Sequence, residues 1–460
     1  MAARSPFGLG LRYLPREDPA AGDVRAIDGR FEMRLSTGTL MQAALWALAA
    51  GAAGCAGPAG APRAATLDLR GAASTQVAGS VAAFVDTAGV NVHLGNTQSE
   101  YFRNPQRIEK LLTELGAHHL RDGTYPDQPD RCAQDAHYGA RGIYFDYIVT
   151  PAETDAQLQA WQNCSAPSAD AYENYNEYDE AHDPNWIAVL QAAQLQIDDF
   201  VPSTGAISLG PALTSEADYG AVGPLVAGGG NMHDYFAGRN PGTPGWGSTD
   251  AFGTYGSLAY NIAIAQQTTG SAPMWATETG YGDAPGSQYA LPPAIKMHYT
   301  LRTLFEHWNA GVARTYFYEL VDEDQGPFGS YGLANDQAEP KPAFTALAAL
   351  LAHLAGRGSQ SARLDIRLQA LSAVHHTLLA KGDGTFVLAL WQEVQEWNPL
   401  QQRAMRVVPL PVTIWLDSRP HGLTRTIFGP DGVPASHSLP TSAHFSLSID
   451  GGVTLVDIAP

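Results

Sequence analysis

The chain has 460 residues, 45% of them apolar, 9% aromatic and only 16% charged, with 47 glycines and 31 prolines. That length exceeds what one hydrophobic core usually serves, so a large domain and a smaller one are expected. The formal net charge of −19 argues against nucleic acid or an anionic lipid surface as partner, because cationic side chains hold both by releasing counterions.

Residues 1–32 contain no apolar run and read as a mis-called N-terminal extension. A signal peptide is expected over residues 33–55: Met33-Arg34 gives a positive start, Leu40–Ala53 an apolar stretch, and Ala52-Ala53-Gly54-Cys55 a small-residue end. Translation is therefore expected to start at Met33. The Gly-Cys ending is similar to a bacterial lipobox, with Ala52 where Leu is usual, so a lipid anchor at Cys55 is the one membrane attachment expected. Cleavage near Ala56–Ala61 is the alternative and leaves a free soluble protein. Either route puts the protein outside the cytoplasm: secreted, periplasmic or on the outer surface. The remaining cysteines, Cys132 and Cys164, are even in number and suit one disulfide in an oxidising compartment, expected to join two loops on one side of a barrel. Two unrelated buried thiols are the other reading. Residues 56–78, rich in Ala, Gly, Pro and Arg, read as a flexible linker.

From there short apolar runs alternate with helical stretches. Strands are expected at Gly89–Leu94, Ala117–Leu120, Gly142–Val149, a run ending at Tyr172–Glu177, Ala206–Leu209, Val226–Tyr235, Met274–Thr277 and Arg314–Leu320. Helices are expected at Asn104–Leu115, Glu153–Gln162, Pro184–Phe200, Ser257–Gln267, Ala290–Asn309 and Phe344–Leu354. Eight strands alternating mostly with helices predict a (β/α)8 TIM barrel over residues 79–357. A doubly wound sheet is the rival, but no glycine-rich phosphate loop follows the first strand. From residue 358 the texture changes. Runs such as Ala373–Ala380, Phe386–Trp391, Val412–Leu416, Thr424–Phe428, His444–Ile449 and Val453–Ile458, split by turns, predict a small β-sandwich over 358–460.

Residues at the C-terminal ends of barrel strands face the active site. The fourth strand is read as ending Tyr175-Asn176-Glu177 and the seventh as ending Trp275-Ala276-Thr277-Glu278, which puts two carboxylates across one mouth. Carboxyl groups about 5–5.5 Å apart serve double displacement with retention, and about 6.5–9.5 Å leaves room for an inverting water.

These positions resemble the clan A glycoside hydrolases, retaining enzymes on a (β/α)8 barrel. The resemblance covers about residues 85–355, with a looser match in the sandwich, and implies Glu177 as acid/base and Glu278 as nucleophile. It further implies Arg121 beside the nucleophile, Tyr235 of His233-Asp234-Tyr235 hydrogen-bonded to it, His93 at a sugar-contacting position, and Asn176 donating to the sugar 2-hydroxyl. The stretch Tyr316–Glu323, Gly332-Leu333 and Lys341-Pro342-Ala343 also look like members with a trailing sandwich. Two positions depart from the pattern: Tyr178-Asp179 follows Asn-Glu in place of Pro, and Tyr318-Glu319 stands where a Trp platform is usual.

The resemblance implies a retaining glycosidase acting on an extracellular polysaccharide or oligosaccharide, without cofactor. Gly-rich loops around 228–250 and 324–335 suggest endo action. A transglycosylase, or a non-catalytic glycan-binding surface protein, are the alternatives. Glu173 and Glu319 are rival carboxylates, and Arg121 also reads as a surface partner of Asp122 or Glu114. His233 and Asp234 also read as loop supports. Trp161, Trp246 and Tyr281 read equally as sugar platforms or rim cover. His118-His119 and His375-His376 look like metal pairs, but strand alternation sends neighbours to opposite faces, so no metal site is expected. The sequence leaves the oligomeric state open.

Overall fold

The computed structural model describes residues 74–235, 258–323 and 330–460, except 152, 167, 288–289, 357–360 and 399–400. Before residue 74 only the short antiparallel pair Ala26–Ile27 and Arg30–Phe31 is described. The expected leader with Cys55, and Trp246, lie outside the described residues.

Eight strands form the barrel: Ala88–Asn91, His119–Gly123, Tyr144–Ile148, Ala169–Glu173, Ile207–Leu209, Gly230–His233, Met274–Thr279 and Arg314–Phe317. All pairings between them are parallel, and the eighth returns to the first through Thr315 opposite Ala88. A single bridge from Leu209 to Gly229 spans the remaining edge between fifth and sixth strands. The pairing of last strand with first is what separates this TIM-type barrel from a doubly wound sheet.

Helices follow the strands and cover the ring. Pro105–Leu115 starts on proline, buries Ile108, Leu111, Leu112 and Leu115 at three-and-four spacing, and ends at Gly116, whose φ of 72° is left-handed. Asp155–Ser165 opens with a capping box between Thr154 and Gln157. The Cys132–Cys164 disulfide is formed. It joins the helix Pro129–Gly139 to Asp155–Ser165 rather than two loops, because both cysteines sit within helical turns that pack side by side.

The N-terminal end of the ring is closed by charge. His119 contacts Asp86 at 3.1 Å and Asp170 at 3.0 Å, while Arg314 reaches Asp86 at 3.1 Å. Burial is the largest influence on His119 and opposes its charge, but hydrogen bonds to the two aspartates outweigh it and raise its pKa.

The β domain has two layers. Ala362–Gln369, Leu410–Leu416 and His444–Ile449 form one; Val374–Ala380, Phe386–Gln392, Thr454–Ala459, Gly422–Phe428 and Pro434–Ser438 form the other. Alternation along Phe386–Gln392 decides where each side chain goes. Phe386, Leu388 and Leu390 enter the sandwich core, whereas Val387, Ala389 and Trp391 join the barrel's core. Trp391 stacks on Phe305 of the helix Pro293–Ala310 at 5.4 Å. The domain boundary needs one correction. Ser74–Ser80, placed by sequence partly in a linker and partly in the barrel, is a strand of this β domain, antiparallel to Ala362–Ile366 and parallel to Leu379–Ala380. Its run STQVAGS lacks a strong alternating pattern, and its partners lie nearly 300 residues downstream.

Candidate active site

Arg121 is the hub at the C-terminal mouth. It is 2% exposed, on the second strand. Its Nε and Nη2 donate to Glu173 at 2.8 and 2.7 Å, Nη1 to Asn91 at 3.0 Å and to Glu278 at 2.6 Å, and Nη2 also to Asn176 at 2.7 Å. A guanidinium's planar fork is the side chain able to serve so many acceptors at once. The surface pairing with Asp122 or Glu114 is excluded by this burial. Asp122 points the other way and accepts from Leu94 N and the Tyr125 hydroxyl.

Glu278, on the seventh strand, has both oxygens engaged: Oε1 by Arg121 and Oε2 by the Tyr235 hydroxyl at 2.5 Å. Burial weighs most on its titration and favours the neutral acid. The charges of His233 and Arg121, with hydrogen bonds from Tyr235 and Arg121, outweigh it and hold its pKa below the ordinary value. Glu278 is therefore kept ionised.

The fourth strand ends at Glu173, four residues earlier than the sequence suggested. Glu177 lies on the loop beyond, with φ of 48° and its backbone N–H donating to Ala212 O at 3.0 Å. That hold brings it back over the mouth. A carboxylate oxygen of Glu177 and one of Glu278 lie within 4.8 Å of each other. Glu173, a rival in the sequence, is fully buried with both oxygens bonded to Arg121, so it serves as counter-ion at the base of the site.

His233 bridges the pair, with Nδ1 2.9 Å from Glu177 Oε1 and Nε2 3.6 Å from Glu278 Oε1. Burial disfavours its charge most strongly. The Glu278 charge and the hydrogen bond and charge of Glu177 prevail, and its pKa is raised. Asp234, between His233 and Tyr235, faces outward on the strand alternation. It accepts from Asn261 at 2.6 Å and contacts His307 at 3.1 Å, tying the sixth strand to the helices behind it.

The first and eighth strands complete the mouth. His93 Nδ1 lies 2.5 Å from Glu323 and 3.4 Å from Glu319. Burial lowers the His93 pKa most, but Glu323 and Glu319 bring it up to about 10; burial, chiefly, lifts Glu319 to about 8. The Tyr318 ring stands 5.6 Å from His93, 6.4 Å from Tyr235 and 6.2 Å from Tyr331. Asn91, Glu323 and Tyr331 were not singled out from sequence. Asn91 ends the first strand and was open to the strand-end rule; Glu323 and Tyr331 sit on loops whose placement no pattern announces. Trp161 and Tyr281 are buried, the first against Tyr147 and the second bonded to Thr303, so neither is a sugar platform. Much of the two loops read as a cleft, residues 236–250 and 324–329, lies outside the described residues.

The sequence matches no protein-family model and no curated protein. Several solved structures share the fold. A GH30 endoxylanase from Clostridium papyrosolvens C71 superposes with a TM-score of 0.51 at 12% identity, covering 82% of this chain and 96% of its own. A GH51 α-L-arabinofuranosidase from Thermotoga petrophila RKU-1 gives 0.53 at 10%, covering 84% and 100%. An α-L-arabinofuranosidase from Thermotoga maritima gives 0.50 at 10%, covering 76% and 89%. At these identities the likeness is one of fold alone, extending over 76–84% of this chain.

Proposed function

We propose that this protein is a retaining glycoside hydrolase, with Glu278 as nucleophile and Glu177 as acid/base. The observation that carries the reading is the approach of the two carboxylates within 4.8 Å across the barrel mouth, on the close side that double displacement requires. Glu278 attacks the anomeric carbon as the glycosidic bond breaks, and the Glu177 proton passes to the leaving oxygen. Water then gives a proton to Glu177 and attacks the same carbon, releasing Glu278. Arg121 and Tyr235 keep Glu278 ionised for the first step. Asn176, its Oδ1 fixed by Arg121, has its amide N–H groups left to donate to the sugar 2-hydroxyl.

The substrate class we propose is a neutral polysaccharide or oligosaccharide outside the cytoplasm, cut within the chain. The disulfide supports export, since such bonds persist in oxidising compartments. Export by a leader over residues 33–55, with or without lipid at Cys55, belongs to the same proposal.

Purified polysaccharides and aryl glycosides are screened first, with Glu278→Gln as the inactive control. On a substrate so found, a 2-fluoro glycoside is expected to esterify Glu278, seen by peptide mass. Label on another carboxylate rejects the nucleophile. An inverted first product, read by NMR, rejects retention. Glu177→Ala is expected to recover turnover with azide on an activated aryl glycoside. Transfer to an added sugar acceptor in preference to water would make the protein a transglycosylase; no labelling and no turnover would favour a glycan-binding role.

A further inference from the structure

Beside the carboxylate pair lies a second cluster that the proposed reaction does not use. His93, Glu319 and Glu323 each present one ligand-type atom, all within 4.8 Å of one another. Glu319 is 3% exposed, and its Oε2 accepts no hydrogen bond from any described residue although it stands 3.4 Å from His93 Nδ1. A buried carboxylate oxygen without a donor is costly unless something positive completes it. Neither carboxylate has a lysine or arginine partner among the described residues.

We propose that His93, Glu319 and Glu323 bind a divalent cation of the Zn2+ or Mn2+ class at the barrel mouth. Two carboxylates and one imidazole suit such ions. With bonds of about 2.1 Å in tetrahedral array, neighbouring ligand atoms stand about 3.4 Å apart, which is the separation already present between His93 Nδ1 and Glu319 Oε2. The His93–Glu323 pair, 2.5 Å apart as a proton-bridged contact, opens by about 1 Å when an ion replaces the proton.

The ligands are held in place beforehand. Leu320 N donates to Asn91 O at 3.0 Å, Val321 N to the Tyr101 hydroxyl at 2.9 Å, and Leu333 N to Glu319 O at 2.7 Å. Asn96 Nδ2 supports Glu323 Oε1 from behind at 3.1 Å, the kind of outer contact that orients a metal ligand. The other two clusters of suitable spacing already have partners inside the protein. Glu278 faces Arg121 at 2.6 Å, and Glu306 Oε1 meets both His375 Nδ1 at 2.5 Å and the Trp391 indole at 2.8 Å. Three protein ligands leave a position open for water or, on the glycosidase reading, for a sugar hydroxyl.

The test reads binding rather than turnover, so the cation site and the glycosidase reading stand or fall separately. The full chain is stripped with chelator, desalted, and titrated calorimetrically with Zn2+ and with Mn2+, metal content being checked by mass spectrometry. One equivalent is expected to bind and to raise Tm. Glu319→Gln, Glu323→Gln and His93→Gln are each expected to weaken binding about tenfold or more, while Glu177→Gln and Glu306→Gln bind as the unaltered chain does. The His93 side chain is 30% exposed, so His93→Gln keeps the test open if a glutamate variant fails to fold. No bound ion, or binding that survives loss of His93, or binding lost with Glu177 or Glu306 alone, overturns the assignment.

Discussion

Tyr235→Phe isolates one contact of the candidate nucleophile. The hydroxyl donates to Glu278 Oε2 at 2.5 Å, and the ring meets Tyr318 and Tyr331 edge-on at 6.4 and 5.7 Å. Phenylalanine keeps the ring packing and removes only the donor. A hydrogen bond to a charged group is worth about 1.5–3 kcal/mol, so kcat/KM should fall by about tenfold to 150-fold. The pH dependence carries a sign. Glu278 has its pKa held low partly by this donor, and the ionised form is the one that reacts. Without the donor the pKa moves up toward the ordinary carboxylate value, and the acidic limb of kcat/KM moves to higher pH. Initial rates on whichever aryl glycoside the screen yields, taken from about pH 3 to 8, measure both. A loss under about threefold with the acidic limb unmoved refutes the assignment of Glu278 as a nucleophile tuned by Tyr235.

Arg121→Met leaves Glu173 buried without its partner, and chemical denaturation should show a loss of about 3–5 kcal/mol; pairing it with Glu173→Met should return part of that loss, and no recovery would count against the ion pair as its source. The Cys132–Cys164 bond spans 32 residues, so reduction or Cys132→Ser should cost about 3–4 kcal/mol by loop entropy, with two thiols titrating only after reduction. A denaturant midpoint unchanged by reduction would dismiss that contribution. At the barrel's N-terminal end, His119 has a pKa raised above 6.5 by Asp170 and Asp86, against burial. Its contribution is therefore complete below about pH 6.5 and is lost as pH rises through the higher native value. The Tm gap between the native chain and His119→Gln should narrow from neutral to alkaline pH; a constant gap would show that packing, not charge, sets it.

The strand series was legible because buried parallel strands read as short apolar runs and helices as longer periodic ones, and eight such alternations leave few folds. Glu278 was placed at the mouth for the same reason, since it lies near the end of its strand; Arg121, within its strand, and Tyr235, two residues past the sixth strand, were expected from the family resemblance. Of the sandwich strands, Ala362–Gln369 and Pro434–Ser438 were missed, and the six read as short apolar runs between turns were found. Ser74–Ser80 was not, since a strand that takes its pairing from residues 362–366 and 379–380 needs no strong pattern of its own.

Glu177 marks the limit. Sequence placed it at the end of a strand, but the strand stops at Glu173 and a loop carries Glu177 back over the mouth. Which glutamate sits under Arg121 and which faces Glu278 is set by that loop's backbone, through its bond to Ala212. The meeting of His93 with Glu319 and Glu323, more than 220 residues away, is likewise a product of ring closure between the first and eighth strands. Periodicity is a local property and determined the barrel, its order and the inward faces of its strands. Loop geometry and ring closure are long-range, and only the folded chain decided which carboxylates meet and which are left facing an imidazole.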